Sequence, residues 1–359
     1  MNRLSPIVRH RLFWPAAALV VLLLSNLFFS SDFFAIRLRD GHLYGSLIDI
    51  LRGSTPLVLV ALGMTLVIAT AGIDLSVGSV IAIIGAVACL RVSELGDQNS
   101  VGGVLAAVGV AIGLALVLGL WNGILVAVVG IQPIIATLIL LVGGRGIAQL
   151  ITDGQIINVR SSPYRTIGAG YALTIPVAVI IAAVVVAAAV VLTRRTALGL
   201  LIESVGSSPT ASRLAGIQAR RLTLIVYVFS GFCAGVAGLI FSSNISSADG
   251  NNAGNLIELD AILAVVIGGT ALTGGRFSIA GSVLGAVLIQ ALNVTIYTTG
   301  IPNNVTLLFK AVVVVVLCLA QSPTFRAKVF GRLRGKPSAN SPTPGGPTPG
   351  APTPAEVAA

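Results

Sequence analysis

Charged side chains are scarce in this chain of 359 residues: Asp, Glu, Lys and Arg together make up 9%, where a soluble domain carries roughly 25%. That scarcity excludes a soluble enzyme, a nucleic-acid-binding domain and a secreted disulfide scaffold. Aromatic residues are also few, at 5%. Ten-residue stretches of alternating polarity are missing, which excludes an outer-membrane barrel. The three cysteines, Cys89, Cys233 and Cys318, lie in or beside apolar runs without CxxC spacing and read as small core hydrophobes. There are only two histidines, His10 and His42, and no Cys/His cluster, so no metal site is expected. The three lysines, Lys310, Lys328 and Lys336, stand outside any GxxxxGKS/T motif, so the chain is not its own P-loop ATPase. No histidine lies near a candidate nucleophile and no carboxylates are paired, so no catalytic residue is expected.

What the chain has in abundance is Ala, Val, Ile, Leu and 41 Gly; hydrophobic residues make up 55%. They fall in runs that suit bilayer-crossing helices, which take about 20 residues each. The fold class read from this is all-α, a polytopic membrane protein of about ten transmembrane helices. The runs are 13–29, 56–71, 77–90, 101–129, 134–150, 173–192, 222–241, 259–273, 279–297 and 304–320. Run 101–129 would be about 43 Å long at 1.5 Å per residue, against a hydrocarbon core of about 30 Å. It either tilts or breaks at Trp121-Asn122-Gly123. With the amino terminus inside, fourteen basic residues fall on the inner side. Six fall outside: Arg37, Arg39, Arg52, Arg91, Arg160 and Arg165. This agrees with the positive-inside rule and puts both termini in the cytoplasm. The net charge of +10 then reflects membrane topology, and no nucleic-acid partner is expected. Residues 1–336 form the membrane domain. The Pro/Thr/Gly-rich stretch 337–359 has nothing to bury and reads as a disordered cytoplasmic tail.

Several local patterns stand out. The stretch from Thr70-Ala71-Gly72 to Gly78-Ser79-Val80 aligns with that from Thr273-Gly274-Gly275 to Gly281-Ser282-Val283. Such paired Gly-interrupted segments in the two halves of a transporter often border the pathway. In the break Gly72-Ile73-Asp74-Leu75-Ser76, Asp74 is a functional candidate by its depth. The favoured reading is a cap, Asp74 or Ser76 holding the start of the next helix. Residues 194–221 are not a plain linker. Thr196 can cap a helix carrying Leu198, Leu201, Ile202 and Val205, with Gly206 as a left-handed stop. Ser208-Pro209 can open a second helix that Gly216 closes. The result is either a rigid knob for a partner or an amphipathic hairpin lying on lipid headgroups. Arg145 either snorkels or pairs with Asp153, and Lys310 snorkels or pairs. Asn122, Gln132, Thr137, Gln149, Gln290 and Asn293 are uncharged polar residues in or beside spans. They serve helix packing or offer hydrogen bonds to a polar solute. The Asn/Asp/Gly-rich stretch 246–258 is a solvated loop or a docking surface.

These residues resemble a known family. The segment with Glu203, Gly206, Ala211, Ala215 and Gly216 resembles the cytoplasmic coupling loop of ABC-importer permeases. Residues 62–77 (LGMTLVIATAGIDLSV), Trp121-Asn122-Gly123, Gly268-Gly269 and Thr273-Gly274-Gly275 resemble the ribose/galactose-type sugar permeases. Ile131-Gln132-Pro133, Gly144-Arg145-Gly146, 248–254 (ADGNNAG) and 258–269 (ELDAILAVVIGG) resemble their galactofuranose-type branch. The likeness runs from about 36 to 322, and the Pro/Thr-rich tail departs from it. It implies a subunit of the bacterial cytoplasmic (inner) membrane that moves a sugar, galactofuranose or a related furanose or pentose. It implies coupling through Glu203, Gly206, Ala211, Ala215 and Gly216, and a path to which Asn122, Gln132, Thr137, Gln290 and Asn293 contribute. The helix-break motif is Gly72, Asp74 and Ser76. The expected partners are an ABC ATPase subunit, a sugar-binding protein, a second permease subunit (identical or related) and membrane lipid. No cofactor is expected on this chain, with ATP-Mg on the partner ATPase. The alternative is an ion-coupled secondary sugar transporter, for which Asp74 alone is a thin supply of midplane charge.

Overall fold

A computed structural model describes residues 12–28, 33–39, 41–299 and 303–321. The expected cytoplasmic tail, 337–359, and the basic residues Arg3, Arg9 and Arg11 lie outside the described residues. One compact unit takes in the chain through Cys318. Of the second, 319–359, only 319–321 are described.

The described residues form thirteen α-helices: α1 Phe13–Ser25, α2 Ser46–Ala69, α3 Val77–Ser93, α4 Val101–Ile124, α5 Pro133–Ile151, α6 Ser162–Ala169, α7 Val177–Arg195, α8 Leu198–Ser207, α9 Pro209–Leu214, α10 Ala219–Ile245, α11 Ile257–Ile267, α12 Ile279–Thr298 and α13 Asn303–Gln321. Among the described residues, the expected all-α class is modified only by short antiparallel pairs. Residues 37–39 pair with 42–44, 156–158 with 247–249, and 171–172 with 175–176.

Among the described residues, six helices are long and apolar enough to cross a membrane: α2, α4 with its following turn, α5, α7, α10 and α12. α1 and α3 are shorter, at 13 and 17 residues. Run 259–273 yields only the 11-residue α11, because the chain turns at Gly268-Gly269-Thr270, with Gly269 at φ +86°. Run 101–129 does not break at Trp121-Asn122-Gly123. It is helical to Ile124 and ends in a π-turn, Leu125–Val129, that stops on left-handed Gly130.

Local chemistry explains the helix starts. Ser100, Ser161 and Ser278 each accept a backbone N–H through their hydroxyl, from Gly103, Tyr164 and Gly281 respectively. Within α2, Pro56 cannot donate to the Arg52 carbonyl, and the Thr55 hydroxyl does so instead at 2.7 Å.

The core centres on α10, which packs against α2, α3, α4 and α6. It carries Gly231 and Gly235 one turn apart. A Cβ at Gly231 would stand 2.6 Å from the Ala115 carbonyl oxygen and 2.7 Å from Gly119 Cα. The two backbones therefore meet with no side chain between them, as small residues permit in a membrane bundle.

Candidate functional site

Three features make up the candidate site. The first is the knob of α8 and α9. As its composition suggests, the Thr196 hydroxyl accepts the Leu198 N–H at 3.2 Å and the Ser208 hydroxyl accepts the Ala211 N–H at 3.2 Å. Gly216 is left-handed at φ +81°, and the Ile217 N–H closes back on the Ser212 carbonyl at 2.9 Å. Gly206 differs from expectation. It is not a left-handed stop, since α8 runs through it to Ser207. Tertiary packing is the reason. Its Cα faces the Ala69 carbonyl at the end of α2, and a Cβ would stand 2.6 Å from the Gly275 nitrogen.

The Gly275 N–H also donates to the Ala69 carbonyl at 2.9 Å. A Cβ at Gly274 would meet the Gly206 carbonyl oxygen and the Ala71 side chain. The two similar stretches, beginning at Thr70 and at Thr273, are thus joined to one another beneath the end of α8. On the knob's far side, Ala211, Ala215 and Gly216 are exposed beside Leu214, which is 87% exposed. Glu203 is half-buried on α8.

The second feature is the break between α2 and α3. Asp74 is 2% exposed. Its carboxylate accepts the Ser76 N–H at 3.0 Å, the Ser76 hydroxyl at 2.6 Å and the Ser230 hydroxyl of α10 at 2.8 Å. Asp74 thus closes the turn onto Ser76, and the expected side-chain cap is not formed, since the start of α3 carries no side-chain hydrogen bond. Asn122 Nδ2 donates to Ser76 Oγ at 2.7 Å, leaving Asn122 Oδ1 buried without a partner. The Tyr227 hydroxyl is also buried and unpartnered. Gly72 leaves room for it, since a Cβ there would stand 2.7 Å away. Thr137 Oγ1 accepts the Leu75 N–H at 3.1 Å and donates to the Pro133 carbonyl at 2.9 Å. Asn122 and Thr137 are thus both engaged in helix packing. Gln132 sits exposed before α5.

The third feature is a polar cavity of about 210 Å³. It lies between α2, α10, the 252–257 segment, α11 and α12. Gln290 and Asn293 line it, and Asn252, Asn255 and Asp260 join them. Of the five path candidates, these two alone meet there. Lys310 does pair: its Nζ donates to Asp260 Oδ2 at 2.6 Å, with side chains only 15% and 20% exposed. Arg145 does not pair with Asp153. Its Nη1 donates to the Ala253 carbonyl at 2.6 Å and so pins the 246–258 segment against α5. Glu258, 6% exposed, packs over Gly78 of α3. At the segment's start, the Asn252 side chain and the N–H groups of Asn251 and Asn252 hold the Asp249 carboxyl below its usual range.

Sequence reasoning missed Ser230, Tyr227, Asn252, Asn255 and the role of Lys310. The polar 246–258 stretch was visible, but nothing in it signalled that the segment folds back against α3. No group of three or more His, Cys, Asp or Glu that could hold a metal ion occurs among the described residues.

The profile of a family described as "Branched-chain amino acid transport system / permease component" matches residues 46–318. The chain is 46% identical to the galactofuranose transporter permease protein YtfT of Escherichia coli, over 90% of this chain and 94% of that protein. It is 40% identical to the fructose import permease protein FruF of Bifidobacterium longum, over 90% of each. It is 36% identical to the ribose import permease protein RbsC of Escherichia coli, over 85% of this chain and 92% of that protein. No solved structure matches the chain.

Proposed function

The chain belongs to the branched-chain amino acid transport system / permease component family, and on that premise we propose that it is the membrane-spanning permease subunit of a sugar ABC importer. The observation that carries the reading is the 46% identity, along nearly the whole of both chains, to a permease named for galactofuranose. Relatives named for fructose and ribose favour a sugar over a branched-chain amino acid. Galactofuranose or a related furanose or pentose is the proposed cargo.

The subunit is proposed to cross the bacterial cytoplasmic (inner) membrane about ten times with both termini inside. The six long helices cross outright, and the stretches that hold the shorter α1, α3 and α11, with α13, are proposed to complete the count. The knob end then faces the cytoplasm, and a partner ATPase holding ATP-Mg docks on it. The exposed Ala211, Leu214, Ala215 and Gly216 supply an apolar seat of the kind such docking uses. A sugar-binding protein delivers cargo at the opposite end, and a second permease subunit, identical or related, completes the channel.

Force applied to α8 acts through Gly206 on the end of α2 and on the turn before α12. Both broken segments are thereby moved by one contact. A partner can transmit displacement this way because backbone meets backbone there, with no flexible side chain between. Uptake of labelled sugar into proteoliposomes carrying the chain with its partner subunits is the test. Accumulation that requires ATP on the knob side supports the reading. Accumulation by the chain alone, driven by an ion gradient, overturns it.

A further inference from the structure

We propose that the cavity between α2, α10, α11 and α12 is a holding site for one neutral polyhydroxylated solute, and that it rejects zwitterions such as free amino acids. The inference deepens the transport reading and rests on it.

The side chains facing the cavity make this choice. Asn252, Asn255, Gln290 and Asn293 carry amides, each both donor and acceptor. A sugar hydroxyl likewise gives one hydrogen bond and takes others, so rows of hydroxyls and amides match. Asn255 makes no side-chain hydrogen bond among the described residues, and the bond from Asn293 to Gln290 is long at 3.4 Å. These groups are ready to exchange partners with a ligand. The charged groups are already spent on each other, because Asp260 Oδ2 and Lys310 Nζ lie 2.6 Å apart. A zwitterion would need both charges answered and would have to break that pair. Asp260 Oδ1 remains to accept from a hydroxyl. Phe241 and Leu57 supply an apolar wall for the C–H face of a ring. Gly53 opens the space in which Gln290 lies, since a Cβ there would stand 2.5 Å from its Nε2. The volume of about 210 Å³ leaves room for a sugar ring.

Two measurements test this on the full chain with its partner subunits. In the first, Asn255→Ala and Gln290→Ala importers are assayed for ATP-driven uptake of labelled D-galactose, D-ribose and D-fructose. The expected result is a drop of about tenfold in kcat/KM for the transported sugar, about 1.4 kcal/mol, with each variant still monodisperse. In the second, Asn293→Cys in a Cys318→Ser background is labelled with a neutral methanethiosulfonate reagent. The transported sugar should slow labelling severalfold, and L-leucine should not. Unchanged uptake in both variants, or labelling that sugar does not slow, overturns the cavity proposal and leaves the transport reading standing. Protection by leucine equal to that by sugar overturns the neutral-solute claim. If the unaltered importer moves none of these sugars, the transport reading fails and this inference falls with it.

Discussion

Asp74 takes three hydrogen bonds, two from the residue that follows its own turn and one from α10. Removing the Ser230 hydroxyl strips a buried acceptor of one partner, so Ser230→Ala should cost about 1–3 kcal/mol. Thermal unfolding in detergent would read this, and the effect should shrink in an Asp74→Ala background, where the bond is already gone. The break itself was legible in the sequence, because Gly-x-Asp-x-Ser ahead of an apolar run calls for a turn, but the bond closes the turn on Ser76 rather than capping α3. The Ser230 bond was not legible, because its donor lies 156 residues away on a helix with no distinguishing spacing. Asp249 offers a second measurement. Its folded-state pKa is depressed by Asn252 and two backbone N–H groups. The stability it lends to the 249–252 turn is therefore present above the ordinary carboxylate range and lost as pH falls through the depressed value. Hydrogen-exchange protection of amides 249–255 should fall on acidification, and Asn252→Ala should move that loss to higher pH.

Helices show where hydropathy suffices and where it fails. All ten apolar runs contain helix, since a backbone in lipid must satisfy its own hydrogen bonds. Their lengths were less legible. Run 259–273 is apolar enough to span, yet the turn at Gly268-Gly269-Thr270 ends its helix after 11 residues. Gly206 carried the usual sign of a helix stop, and packing against Ala69 overrode it. The short strand pairs were missed because two- and three-residue ladders leave no period to read. At the α4–α10 crossing the backbones are too close for a methyl group. Gly231→Ala should destabilise the folded chain by about 1–3 kcal/mol through overpacking, whereas Gly109→Ala on α4, which faces open space, should not. Paired melting curves in the same detergent would separate the two.

At the scale of the whole molecule, the knob sits on both broken segments at once, so a single side chain added there should separate fuel use from work. Gly206→Val in the full importer should leave ATP hydrolysis measurable and lower sugar uptake by about tenfold or more, about 1.4 kcal/mol. Uptake equal to that of the unaltered importer would show that the α8 contact transmits nothing. The Asp260–Lys310 pair carries a consequence of a different kind. One elementary charge moved across a membrane is worth about 2.3 kcal/mol per 100 mV. A helix rearrangement that keeps these two partners together shifts no net charge, and an uncharged cargo adds none. Import should therefore run at the same rate whether the vesicle interior is clamped negative or positive by potassium and valinomycin, electrically silent in a cell whose voltage drives much of its other traffic.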